Sequence, residues 1–309
     1  MNSGGPYSYE FINTYNSLVS PSTVHVKNTA LAQFFKRYLL DEVFSVYEWT
    51  MPETWAENYF KTVLYCIGYI AVLESDKFGV IPQHCGLGGY NVFYQPRWCI
   101  VNNPLFKKSY TPVIGKDCEV LKLQPDWCGI YDLVDYYGDL LALTAETAGV
   151  NILNSKLSFV FFSKNKAGAE SFKKLYDDIA SGNPAAFPDK DLLDDEGRLT
   201  MEMFNQNVGQ NFIADKLLDV MRTIRNMFLT DIGIPNANTD KKERLITDEV
   251  NANNFETRSK ASLWLRELKK GCSKVRDMFG VDLDVNWAEG LREEVNPDAR
   301  IDSGDLSLR

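Results

Sequence analysis

The residues that could do chemistry are few and scattered. Only two histidines occur, His25 and His84, far apart in the 309-residue chain. His84-Cys85 with Cys99 could sketch a metal site, but zinc takes three or four ligands at compact spacing. The plainer expectation is a surface histidine beside buried thiols. The six cysteines are Cys66, Cys85, Cys99, Cys118, Cys128 and Cys272, with no C-x-x-C pair among them. That pattern fits a reduced fold with buried thiols better than a disulfide or metal framework. Gly86-Leu87-Gly88-Gly89-Tyr90 is glycine-rich, yet no Lys-Ser/Thr follows it, so a tight turn is expected rather than a phosphate cradle. No G-x-S-x-G elbow occurs either. These residues point to no cofactor, no metal and no catalytic centre.

One charge pattern is more regular. Asp132, Asp135, Asp139 and Glu146 lie at i, +3, +7 and +14, one acidic stripe nearly parallel to a helix axis. A second helical stretch carries Lys216 on its polar side, flanked by Arg222 and Arg225. The bland reading is two solvated faces with weak ion pairs. The sharper reading is the wall of a pore. Acids facing a polyanion repel its phosphates and prevent sticking, while a few cations at fixed heights give weak contacts. A metal-dependent hydrolase or nuclease using the same acids is an alternative, as is a minor capsid or tail adaptor with similar helices.

The elements that would position these groups follow from periodicity. Residues 30–49 place Leu31, Phe34, Phe35, Tyr38, Leu39, Val43 and Val46 on one helical face. Thr50-Met51-Pro52-Glu53 has the form of a helix start, and predicts a helix running to about Leu73. Residues 77–128 alternate short apolar runs, such as 91–94 and 98–101, with Gly and Pro, and predict a β-rich insertion. A helix is expected over 131–151 and a strand over 157–162. A short helix over 169–180 and an exposed acidic loop then follow. The helix over 211–230 has the clearest apolar stripe, through Ile213, Leu217, Val220, Met221, Ile224, Met227 and Phe228. Residues 233–254 lack apolar periodicity, and so long a loop between two good helices suggests function. A last helix is expected over 255–279, with Gly280 at its stop, then a strand through Val281, Leu283, Val285 and Trp287.

Composition bounds the rest. Hydrophobic residues make up 45% and the net charge is −9. That balance excludes a protein basic over its whole surface, yet allows one that lets DNA slide past. The aromatic fraction of 13% suits cores and subunit interfaces. Residues 1–9 lack a basic run before an apolar core, so no secretory signal is expected. No apolar run reaches about 18 residues, so no membrane span is expected.

The segment Gly233-Ile234, Asn236-Ala237-Asn238, Lys241-Lys242-Glu243-Arg244 and Thr247-Asp248-Glu249-Val250 resembles the tunnel-loop signature of a known family. The family is the upper collar (head–tail connector, portal) proteins of small Bacillus-type podophages. Asp215-Lys216-Leu217, Tyr47-Glu48-Trp49 with Pro52, Gly68-Tyr69-Ile70 and Met278-Phe279-Gly280-Val281 agree with it too. The resemblance implies an α+β, mostly α, portal fold. Residues 1–27 would be an N-terminal arm, 28–128 a wing with a β-rich insertion, and 129–154 and 206–232 stem helices. Residues 155–205 would be a small β-containing clip, 233–254 a tunnel loop, 255–284 the rest of the wing, and 285–309 a reduced crown.

It also implies a homododecameric ring at the head–tail vertex of a virion, assembled in the host cytoplasm. Double-stranded DNA would pass through the ring. A packaging ATPase, the major capsid protein and lower collar or tail proteins would be its partners. Lys216, Asn236, Asn238, Lys241, Lys242, Arg244 and Asn251 become the candidate DNA-channel residues. Asp132, Asp135, Asp139 and Glu146 become the candidate acidic lining. The chain departs from the family in two ways. Residues 1–20 contain no Lys or Arg, which argues against packaging RNA binding through the arm. A second channel lysine of the family falls at Asn207.

Overall fold

The computed structural model describes residues 8–12, 18–22, 26–106, 109–155, 159–163, 166, 170, 173–174, 177, 201–205, 212–234 and 247–288. Side chains of residues 11–12, 154–163, 201–205 and 247–259 are left aside. The chain divides into two compact units: residues 1–143 with 222–309, and residues 144–221.

The first unit is built on helices and three small sheets. Helix α1 spans Tyr9–Ile12, α2 Thr29–Phe44 and α3 Glu57–Ile67. The long helix α4, Tyr131–Ser155, starts in this unit, and α5, Ala214–Ile232, ends in it. Helix α6 spans Thr247–Phe279. Strand β1 (Tyr47–Thr50) pairs antiparallel with β9 (Asp284–Trp287). Strand β2 (Tyr69–Ser75) sits between β3 (Gly79–Gln83) and β6 (Cys118–Lys122), both antiparallel to it. Strands β4 (Gly86–Gly88) and β5 (Trp98–Ile100) form a hairpin-like pair. In the second unit β7 (Phe159–Ser163) pairs antiparallel with β8 (Met201–Asn205).

Three local expectations need correction. Thr50 closes a strand and caps no helix; Tyr47–Thr50 is fixed by pairing with Asp284–Trp287, a partner more than 230 residues away. Helix α3 starts only at Glu57 and stops at Gly68, whose φ of 103° is left-handed. A side chain at Gly68 would run into the Cys128–Gly129 peptide, so only glycine turns the chain here. The following Tyr69-Ile70-Ala71-Val72 then enters the sheet, where β-branched residues pack well. Residues 91–94 form a turn, with Tyr94 at φ 56°, while the strand expected at 98–101 is present as β5.

The core of the β-rich insertion gathers Ala71, Leu73, Cys85, Cys99, Val101, Cys118, Val120 and Trp127. Tyr9 joins it: its ring packs on Tyr90 and its N–H donates to the Tyr94 carbonyl at 3.1 Å. So residues 8–12, read from sequence as part of a free arm, dock on the insertion. Helix α6 lies on β6 and β9, burying Trp264, Leu265, Leu268, Cys272 and Val275. Fully burying one such side chain contributes about 1.5–3 kcal/mol. The Tyr47 hydroxyl, itself buried, donates to the Ala261 carbonyl and ties β1 to α6. Helix α6 begins eight residues before the start expected from periodicity, so the candidate tunnel loop ends at 246.

Candidate functional site

The expected acidic stripe lies on α4, and the structure turns half of it inward. Helix α2 presents Ala32, Lys36, Leu39 and Val43 as its buried face, a spacing of four, three and four. Lys36 is the one cation in that stripe. Its ammonium reaches Asp135 at 2.6 Å and Asp139 at 2.9 Å. All three side chains are nearly sealed, with 10–12% of their surface exposed. The Ser20 hydroxyl donates to the second oxygen of Asp135. Burial works to lower the Lys36 pKa, but its hydrogen bonds to both aspartates and their charges outweigh it and leave the pKa raised.

This clamp explains Gly138. It sits one turn after Asp135 and directly before Asp139, and a Cβ there would strike the Lys36 side chain. The helix therefore accepts a residue that costs about 1 kcal/mol of propensity relative to Ala.

Two further ties hold the neighbouring helix α5 in the same unit. Arg225 contacts Glu42 of α2 through NH2 at 2.6 Å and donates from Nε at 2.7 Å. The Tyr137 hydroxyl of α4 donates to Asp231 of α5 at 2.6 Å, and burial first, then Asp231, holds the Tyr137 phenol well above its usual range. Phe228 is fully buried and meets the Tyr137 ring edge-on, centroids 5.7 Å apart. Lys260 of α6 reaches Asp231 at 3.6 Å. Helix α2 is thus the common neighbour of α4 and α5.

The candidate lining residues separate accordingly. Asp135 and Asp139 are buried inside the subunit, so they are corrected here from channel-facing acids to partners of Lys36. Asp132 and Glu146 are half-buried. Burial raises the Asp132 pKa against the pull of nearby backbone N–H groups, including Leu133 N–H at 2.8 Å. Lys216 is exposed on α5. Asn236, Asn238, Lys241, Lys242 and Arg244 lie outside the described residues. Asn251 stands within α6, not in a loop. The signal that could have found the clamp was present: a lysine at an inward position of an apolar stripe must meet acids.

The other motifs also resolve. Cys85, Cys99 and Cys118 share one core, with the Cys99 and Cys118 sulfurs 3.9 Å apart. His84 is exposed and Cys85 buried, both in the link between β3 and β4. Gly88 and Gly89 lie under the Trp98 indole, where any side chain would collide with the ring.

The ends of α4 and α5 in the second unit differ from this junction. Val150 and Leu153 on α4, Phe212 and Ile213 just before α5, and Leu218 and Val220 on α5 are all exposed, Leu153 at 61%. The Asn151 side chain accepts from the Ile213 N–H at 2.9 Å. The apolar stripe read along α5 is therefore covered at Ile224 and Phe228 and open at Ile213 and Val220.

Among solved structures, the chain is similar to one in the portal and tail of native bacteriophage P68. That match has 14% identity and a TM-score of 0.44, covering 92% of this chain and 100% of that one. It is also similar to a chain of the native gene transfer agent virion, at 12% identity and TM-score 0.40, covering 91% of this chain and 86% of that one. The overlays are loose at these scores, and the assignment rests on sequence. The family model described as Phage Connector (GP10) matches residues 14–292. The chain belongs to the phage connector family.

Proposed function

We propose that this connector is the portal subunit of a phage, forming a dodecameric ring at the head–tail vertex of the virion. Double-stranded DNA would pass through the ring during packaging and ejection. Helices α4 and α5 would be the stem, residues 155–205 the clip facing the packaging ATPase and later the tail, and residues 28–128 with α6 the wing against the capsid. Work on the DNA would come from the separate ATPase.

The observation that carries the reading is the open half of each long helix. A single copy leaves Val150, Leu153, Leu218 and Val220 in water. Exposed apolar side chains grouped on one element mark interaction surfaces. A ring of heterologous contacts covers such faces without leaving an open end. Within the channel we assign Lys216 a weak phosphate contact, together with Asn236, Asn238, Lys241, Lys242, Arg244 and Asn251. The acidic lining reduces to Asp132 and Glu146.

Light scattering of the purified protein tests the assembly. Twelve chains of 35.1 kDa give a particle of about 420 kDa. A stable 35.1 kDa species at micromolar concentration would overturn the ring. Deleting residues 236–246 tests the channel. Rings should still form while packaged DNA is poorly retained; failure of ring assembly would make the segment a folding element instead.

A further inference from the structure

Charge is strongly segregated in this acidic chain. Between residues 260 and 276, α6 carries six cations, Lys260, Arg266, Lys269, Lys270, Lys274 and Arg276, against one acid, Glu267. That stretch has a net charge of +5 in a chain of −9, so the remainder carries −14 (−9 minus +5). All six cations are exposed. Lys270 and Lys274 keep 61% and 64% of their side-chain surface in water.

Intramolecular pairing neutralises only part of this face. Glu267 is shared between Lys270 at 2.8 Å and Lys122 of β6 at 3.7 Å. Glu119 reaches Lys274 at 3.9 Å, and Lys260 reaches Asp231. Lys269 meets an amide, Asn286, at 3.0 Å. Asp277 bounds the stretch. Among the described residues Arg266 and Arg276 form no ion pair. The field is felt next door: burial lowers the Lys122 pKa despite Glu267, and Lys270 and Lys274 push it the same way.

The uncharged residues on this face narrow the partner. They are exposed Ser262 and half-buried Leu263 and Ser273, and no large apolar side chain is exposed between residues 260 and 280. A protein partner would need buried aromatic or aliphatic anchors at the centre of the contact. A nucleic-acid backbone needs only Lys, Arg and small hydroxyls, because phosphate contacts position without reading sequence. From Arg266 to Arg276 the cations run along about 15 Å of helix.

We propose that the exposed face of α6 between Lys260 and Arg276 binds the phosphate backbone of nucleic acid without sequence preference. This surface is formed within one subunit and does not depend on the ring. The contact should be weak and salt-sensitive, since each phosphate neutralised contributes about 0.9 to the slope of log affinity against log salt.

Fluorescence anisotropy of a labelled 20-base-pair random-sequence duplex with the full-length protein tests it. R266E/K269E/R276E, which removes no carboxylate pair of the described residues, should bind at least tenfold more weakly at 50 mM salt, with the salt slope reduced by about 2–3. K77E/R97E/K116E changes net charge equally at exposed sites elsewhere and should shift binding less than twofold. Circular dichroism melts of both variants should match the parent. The proposal is overturned if the parent does not bind the duplex at 50 mM salt, or if the two triple variants lose affinity equally. It also fails if a poly-glutamate peptide of equal charge displaces the duplex as well as unlabelled duplex does, which would make the partner an acidic protein.

Discussion

Each long helix has a closed half and an open half. Along α4, Val134, Asp135, Tyr137, Asp139 and Leu141 are buried in the first unit, while Val150 and Leu153 in the second unit are exposed. Along α5, Ile224, Phe228 and Ile232 are buried, while Leu218 and Val220 are exposed. The closed halves find partners within the same chain: α2 meets both helices through Lys36 and Glu42, and Phe228 of α5 packs on Tyr137 of α4. The open halves also carry large apolar side chains, and these lack that cover. The difference teaches that the apolar stripe on these helices serves two purposes. One part folds the subunit, and the other is available to a second copy.

Breaking the closed half should have the largest effect. Lys36→Met leaves Asp135 and Asp139 buried without a counter-ion, and removing one partner of such a set costs about 3–5 kcal/mol. Urea unfolding of the variant measures it; a loss under about 1 kcal/mol would mean the junction is wetter than described.

Gly138→Ala comes next. In most helices this exchange stabilises by up to about 1 kcal/mol. Here the added methyl meets the Lys36 stem, so a loss of about 1–3 kcal/mol is expected. In a Lys36→Ala background the same exchange should stabilise, and the sign reversal in a double-mutant cycle isolates the clash.

A pH series sharpens the assignment. The Lys36 pKa is raised in the fold, so its contribution is fully present below the ordinary lysine value of 10.5. It is lost as pH rises through the raised value. The stability gap between the parent and Lys36→Met should therefore narrow above that pH. Buried thiols act in the same direction: burial pushes Cys66 to about 11 and Cys272 to about 12 from an ordinary 9.0. Both variants should thus lose stability as pH climbs from about 9 toward 12.

The open half should respond least in stability and most in assembly. Leu153→Asn and Val220→Asn change exposed positions and should move subunit stability by no more than about 0.5 kcal/mol. Sedimentation velocity should show the same variants shifted toward smaller species. Unchanged assembly would remove these faces from the interface.

Much of this was legible in the sequence, and the failures have a common cause. The 3.6-residue periodicity located α2, α4, α5 and all but the first two turns of α6, because it depends only on near neighbours. It also showed that Asp132, Asp135, Asp139 and Glu146 share a helix face. It could not say which way that face turns, because the deciding partner, Lys36, stands about a hundred residues earlier. Strand β1 was read as the end of one helix, at 47–49, and the cap of the next, at Thr50, for the same reason, since its hydrogen bonds come from residues 284–287. The basic stretch of α6 is visible residue by residue, but only the fold shows all six cations on the surface. The asparagine-rich signature at 233–254 pointed to the family the chain belongs to, although its last part is the first two turns of α6.

A second copy should cover the open halves of α4 and α5. Electron microscopy of the purified full-length protein, viewed down the particle axis, tests it most directly. The account expects a closed ring with an axial hole, and with Leu153 and Val220 at contacts between neighbouring subunits. A monodisperse single subunit of 35.1 kDa at micromolar concentration, or a ring that leaves those residues in solvent, would contradict it.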